Sequence, residues 1–393
     1  MKVISSAPGR IDFLNTHQDY KGLPTVPIAI DRRVSMKGKS RDDNLFSLAS
    51  RDISEGEDLF PVERPEYAKK TWWGNYMRAV VNALTAAYPK KLMGLDVVVE
   101  SNLPIASGLA SSAALEVAFA SLLNCANGLG LGPRDVAEVC YRAEHHELGI
   151  PCGRLDQYSS AFGGVIFLES RPPYAVEELP RIPASMAIID SGVKHSTGLI
   201  HPVRQAELDE GLSQLFEAGD VDDGVARQSA PKYNEVLWER MNIEALGHFL
   251  PSINPTYAKR ILFTVLMQRS TVLAVKLMKS QEMDLGALAA VLGDNFRKPR
   301  DPLEALGQIV NYQHELLRDL YGVSHPKLEL LRDLALSSGA IGAKLSGAGM
   351  GGAVLAIARE AATAKRCVEA VSGEAALASV VKVDLGASSR LLP

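Results

Sequence analysis

Leu103-Pro-Ile-Ala-Ser107-Gly108-Leu109-Ala110-Ser111-Ser112-Ala113-Ala114 sets the frame for the chain. It follows Leu95–Glu100, a β-branched apolar run that reads as a strand, and opens onto 113–127, which reads as a buried, alanine-rich helix. A loop of small residues that runs into a helix lets backbone N–H groups and the helix N-terminus face an anion at close range. A tight helix–strand crossing asks for the same small residues, so this stretch alone keeps both readings open.

Two other segments carry similar chemistry. Ser6-Ala-Pro-Gly-Arg10-Ile-Asp-Phe-Leu-Asn15-Thr-His-Gln-Asp19-Tyr20 crowds polar residues directly after a strand. Gly347-Ala-Gly349-Met-Gly351-Gly352 is a glycine loop able to approach a phosphate. By letter it matches GxGxxG, but the following Ala353-Val-Leu-Ala-Ile357 reads as a strand. A dinucleotide fingerprint opens a helix, so a glycine hairpin is the better reading. Gly38-Lys39-Ser40 ends like a P-loop, yet Arg33 stands where the first glycine belongs and no helix start follows. His145-His146-Glu147 lacks the HExxH spacing that would place two ligands on one helix face.

Around these segments lie short strand candidates: Lys2–Ala7, then Thr25–Ile30 and Val34–Lys37 separated by a turn at Asp31-Arg32-Arg33. Helical spacing covers 72–88 and 133–148, and most of 203–250 and 254–340. Four prolines in 169–183 suggest a domain border, dividing the chain into 1–183 and 184–393. Strands and helices mix without strict βαβ alternation, so the expected class is α+β.

Composition narrows the function further. The 393 residues carry 42 basic and 46 acidic side chains, a net charge of −4, which argues against a large nucleic-acid surface. Four cysteines without a CxxC pair make no disulfide framework, and a reducing cytoplasm is the simplest home. No apolar run reaches about 18 residues, so no membrane span is expected. After Met1-Lys2 the apolar stretch ends within a few residues at Arg10 and Asp12, which is no secretory signal.

Taken together, the three segments resemble the GHMP-type small-molecule kinases, and within that superfamily the galactokinases. Ala7-Pro-Gly-Arg10 through Asp19-Tyr20 is similar to the first galactokinase signature, 103–118 to the phosphate-binding motif, and Ser346–Gly352 to the third motif. The stretch from Ala143-Glu144-His145 to Cys152-Gly153-Arg154-Leu155-Asp156-Gln157 resembles the segment that supplies the catalytic aspartate. Asp190–Ser196 and His314–Leu330 resemble further sugar-kinase segments. The resemblance implies two α+β lobes with the active site in the cleft between them, and an ATP- and Mg2+-dependent sugar-1-kinase working as a monomer or homodimer.

The resemblance also distributes roles. Asp156 would face the sugar's anomeric hydroxyl as base or acceptor, and Arg10 would offset charge on the moving phosphoryl group. Ser107, Gly108, Leu109, Ala110, Ser111, Ser112 and Ala113, with Gly347 and Gly349, would hold the ATP phosphates. Mg2+ would take Ser112 (Ser111 being the alternative) and Glu144, both hard oxygen donors. Thr16, His17, Asp19, Gly153, Arg154 and His201 would form the sugar pocket. Several of these depart from the family pattern: Thr16 replaces a glutamate, His201 a tyrosine, and Arg154-Leu155 an Ile-Met pair. A lost carboxylate and a gained arginine open the pocket to a hexuronic acid such as galacturonate. A non-catalytic sugar sensor on the same fold is the alternative from another class, though the catalytic and metal residues are all present.

Overall fold

The long strands β1 (Lys2–Leu14) and β2 (Val26–Ser40) stand where the sequence suggested three short ones. The computed structural model describes residues 1–52, 56–69, 72–89, 92–104, 107–193, 197–218 and 231–393. The expected turn at Asp31-Arg32-Arg33 does not break β2, because the polar groups of Asp31 and Arg33 are satisfied by neighbouring segments. Asp31 exchanges two hydrogen bonds with the backbone of Lys382, each 3.1 Å. Arg33 uses the full donor set of its guanidinium. Nε reaches Ser6 Oγ at 2.6 Å, Nη1 reaches Asp384 Oδ2 and Leu385 O, and Nη2 reaches Ser6 O and Gly386 O.

Packing divides the chain into two compact units, 1–11 with 27–166 and 382–393, and 12–26 with 167–381. A single cut at 183/184 differs from this: 12–26 and the proline-rich stretch belong with the second unit, and 382–393 with the first. In the first unit β3 (Leu45–Ser50), β4 (Asp58–Pro61) and β5 (Leu95–Ser101) join a six-stranded sheet. Its order is Ser388–Leu392, β1, β2, β5, β3, β4. Helices α1 (Asn75–Ala87), α2 (Ser111–Asn127), α3 (Pro133–Arg142) and α4 (Leu155–Phe162) pack on one another. Small side chains along α2 (Ala113, Ala114, Ala118, Ala120) are completely buried, which lets its neighbours approach closely. The helix expected over 133–148 ends at Arg142 and continues as a π-helical turn, Ala143–Glu147.

The second unit is built on a four-stranded antiparallel sheet ordered Leu377–Val381, Ser185–Asp190, Ala353–Ala358, Gly342–Ser346. Ser346 pairs with Ala353, so Gly347–Gly352 turns a hairpin, as the sequence indicated. Helices Pro255–Ser280, Pro302–Glu315, Pro326–Ser337 and Ala361–Val371 belong to this unit. Residues from them and from the sheet, among them Phe263, Met267, Leu331, Leu345, Val354 and Cys367, form one core. Pro255–Ser280 is apolar and long enough to cross a membrane, with a mean hydropathy of 1.5 over 18 residues, but 67% of that window is buried inside the protein. The mixture of helix and sheet is the α+β class expected.

Candidate active site

In the first unit the small-residue loop becomes a helix start with unusual backbone. Gly108 has φ +77°, and Ala110, the N-cap of α2, has φ +59° and ψ +46°. Ala110 offers no side-chain acceptor, so the N–H groups of the first turn are left for an external one. Ser111 and Ser112 are therefore in the helix rather than capping it. Ser107 is buried and its hydroxyl donates to Pro104 O at 3.0 Å. Ile105 and Ala106 lie outside the described residues.

Arg10 on β1 binds this loop and the carboxylate together. Its backbone N–H donates to Leu109 O at 3.1 Å and its Nη1 to Gly108 O at 2.5 Å. Nε and Nη2 both lie 2.7 Å from Asp156 Oδ1, in the first turn of α4. The Arg10 side chain is 8% exposed and that of Asp156 29%, so the pair is shielded on the arginine side and open on the aspartate side. Residues 146 apart in sequence thus meet.

Behind them lies a buried acidic cluster. Glu144, in the π-helical turn, accepts from Gln157 Nε2 at 2.6 Å, and the Ser112 hydroxyl lies close enough to lower its pKa. Burial and the nearby Asp156 push its pKa up to about 7, against the pull of Ser112, Gln157 and Arg10. Glu116, one turn after Ser112 on α2, is fully buried, and neither of its oxygens completes a hydrogen bond. Burial and Glu144 raise its pKa well above the ordinary carboxylate value, with the Gln157 amide acting in the opposite direction. Sequence reading passed over Glu116, although a lone glutamate in an alanine-rich helix, at i+4 from Ser112, was the signal. A carboxyl held up by burial, beside a hydroxyl, fits a divalent cation that would restore its charge. Among the described residues no three His, Cys, Asp or Glu side chains form a metal cage. Magnesium, which keeps several waters, needs none.

This cluster makes a pH prediction. A folded-state pKa raised from 4.5 to about 7 means the native state favours protonated Glu144. Its stabilising contribution is complete below pH 4.5 and is lost as pH rises to about 7, by up to about 3 kcal/mol. In EDTA, thermal unfolding followed by circular dichroism should show Tm falling over this window, and Glu144→Gln should flatten the fall. Mg2+ at pH 8 should raise the wild-type Tm and leave that of Glu144→Gln unmoved. An equal magnesium response in both proteins would remove Glu144 as a ligand.

The second unit holds most of the expected sugar residues. His17 is 4% exposed, with Nε2 3.0 Å from Ala348 O and Nδ1 3.3 Å from Tyr20 Oη. Both ring nitrogens are engaged within the protein. Thr16 is buried, and its hydroxyl accepts from Lys344 Nζ at 2.7 Å. Lys344, fully buried on its strand, also donates to Asp12 O at 2.9 Å. Asp19 and His201 are half-buried, and the His201 ring lies 5.2 Å from those of His17 and Tyr20. Lys194, His195 and Ser196, in another segment singled out by sequence, lie outside the described residues. Arg154 belongs to the first unit. Its guanidinium bonds Glu138 at 2.7 and 3.3 Å and stacks 3.8 Å over Tyr141. Gly153 is half-buried beside it.

Known proteins resemble this chain along most of its length. Residues 1–38 match the galactokinase galactose-binding signature, 75–164 the GHMP kinase N-terminal domain and 294–376 the GHMP kinase C-terminal domain. Galactokinase of Chloroflexus aurantiacus is 30% identical over 364 residues, covering 90% of this chain and 83% of that protein. Galactokinase of Haemophilus influenzae (strain ATCC 51907) is 29% identical over 362 residues, covering 90% and 84%. In fold, the chain is similar to Lactococcus lactis galactokinase complexed with galactose, with TM-score 0.78, 23% identity, and 98% and 95% of the two chains covered. Methanococcus jannaschii mevalonate kinase matches with TM-score 0.62, 16% identity, and 97% and 98% covered. The chain belongs to the GHMP kinase family. Within it, this is a galactokinase-like sugar kinase, and ATP use comes with the family.

Proposed function

We propose that this kinase transfers the γ-phosphoryl group of ATP to the anomeric hydroxyl of a neutral hexopyranose of the galactose type. The observation that carries the reading is the Arg10–Asp156 pair, tied through Arg10 Nη1 to the carbonyl of Gly108 in the phosphate loop. The exposed side of Asp156 accepts the hydroxyl hydrogen as the sugar oxygen forms its bond to the γ-phosphorus and ADP leaves. A loose transition state asks little early deprotonation, so a carboxylate held by an arginine is adequate, and Arg10 offsets charge on the transferring group. The uncapped first turn of α2, over Ser111, Ser112 and Ala113, holds phosphate oxygens, and Gly347 and Gly349 give the hairpin loop of the second unit the backbone freedom to do the same. A Mg2+ ion bound by Ser112 and Glu144 would supply neutralising charge on the phosphates.

For the sugar, the engagement of Arg154 by Glu138 and Tyr141 takes away the cation that favoured a hexuronic acid. Asp19, Gly153 and His201 keep accessible surface for hydroxyl contacts, and Thr16 supplies a neutral position. ADP release should be measured with a panel of free hexoses and hexuronic acids. Galactose or a neutral epimer is expected to give the highest kcat/KM. Faster turnover of galacturonate, lost on Thr16→Glu, would move the assignment to a uronic-acid kinase. Sugar binding without ADP release from any sugar would leave the sensor reading in its place.

A further inference from the structure

The hydrogen-bond directions in the second unit connect its signature segment to the glycine loop. Ala348 O can only accept, so His17 Nε2 carries the proton at that 3.0 Å contact. His17 Nδ1 is then an acceptor, and Tyr20 Oη–H donates to it at 3.3 Å. The Tyr20 oxygen, its hydrogen spent, accepts in turn from the Tyr321 hydroxyl. Any other assignment leaves a buried ring nitrogen without a partner. The relay therefore runs one way, Tyr321 to Tyr20 to His17 to Ala348.

Both ends are anchored. Tyr321 is fully buried and stacks on Phe263 with ring centroids 4.0 Å apart. The loop returns to the same turn, since Met350 N donates to Val323 O at 2.6 Å. Gly349 takes φ +81°, and a Cβ there would lie 2.1 Å from Val323 O, so the approach needs glycine. Met350 follows with φ +58°, a left-handed conformation that costs a side-chain-bearing residue energy. His17 itself has φ +67°. Two strained segments are thus closed into a circuit by one imidazole. Burial, with His201, Lys21 and Arg204 nearby, keeps that imidazole neutral, as a single donor and single acceptor require.

We propose that Tyr20, His17 and Tyr321 are positioning residues that hold the Gly347–Gly352 loop in the shape it needs to meet a phosphate. The consequence for ATP rests on the reading of that loop given above; the hold on the loop does not. The test uses the full chain with Tyr20→Phe and Tyr321→Phe, each of which keeps its ring. Amide hydrogen exchange is read at Met350 and Gly352, together with KM for ATP and for sugar. Loss of one net hydrogen bond should speed exchange at these amides about fivefold and raise KM for ATP by a similar factor. KM for sugar at saturating ATP should stay within about twofold. Unchanged exchange in both variants overturns the proposal. Faster exchange with an unmoved KM for ATP upholds the hold on the loop and overturns the loop's phosphate role. If one variant fails to fold, the other gives the same readout.

Discussion

Asp156→Asn should lower kcat by at least about 10²-fold, the lower end of what a positioned acid–base group contributes. Binding of ATP and sugar should change little. The amide keeps the volume and can still accept from Arg10 Nε and Nη2, which both reach Oδ1 in the native pair. What it loses is the charge, and with it the capacity to take the hydroxyl proton. Single-turnover phosphoryl transfer separates this loss from product release. A variant with near-native turnover would show that Asp156 is not the group facing the hydroxyl. Calorimetric titration with sugar in the same variant then tells a dead kinase from a misfolded one.

Arg10→Met should act through two losses, and kcat/KM should fall by about 10²–10³-fold, the range seen when a preorganised donor to developing charge is removed. The transferring phosphoryl group loses its cation, and Gly108 O and Asp156 lose a shared donor. Arg10→Lys should recover only part of the rate. A lysine ammonium is a point charge and cannot span Asp156 Oδ1 and Gly108 O as the planar fork does. Activity of Arg10→Met within threefold of wild type would reduce the pair to a structural contact.

The sequence was most readable where one residue has one chemical use. Arg10 and Asp156 are separated by 146 positions, yet their contact follows from motifs that each need the other. The glycine hairpin was legible because a strand, not a helix, follows Gly352. Less was legible where a side chain has several possible partners. Arg154 lies two positions before Asp156 in sequence, but Glu138, sixteen residues earlier, approaches from α3 and claims it. His17 reads as a sugar contact through the resemblance, and only the fold shows both nitrogens already bonded. Asp31-Arg32-Arg33 looks like a turn by polarity, and stays extended because Lys382 and Asp384–Gly386 arrive from the far end of the chain. Such partners carry no local signal.

That late arrival has a consequence for how the protein is made. Residues 1–11 and 27–166 are synthesised early, but the strand Ser388–Leu392 that covers Lys2–Ser6, and the carbonyls that saturate Arg33, come last. Translating 167–381 takes about 10–40 s at ordinary elongation speeds. Throughout that interval the outer edge of β1 has no partner strand, and an unpaired edge is a template for association between nascent chains. Chaperone supply and elongation speed should therefore govern the yield of this enzyme more than its final stability does. A product cut short before Lys382 should collect in inclusion bodies while keeping every residue assigned to catalysis.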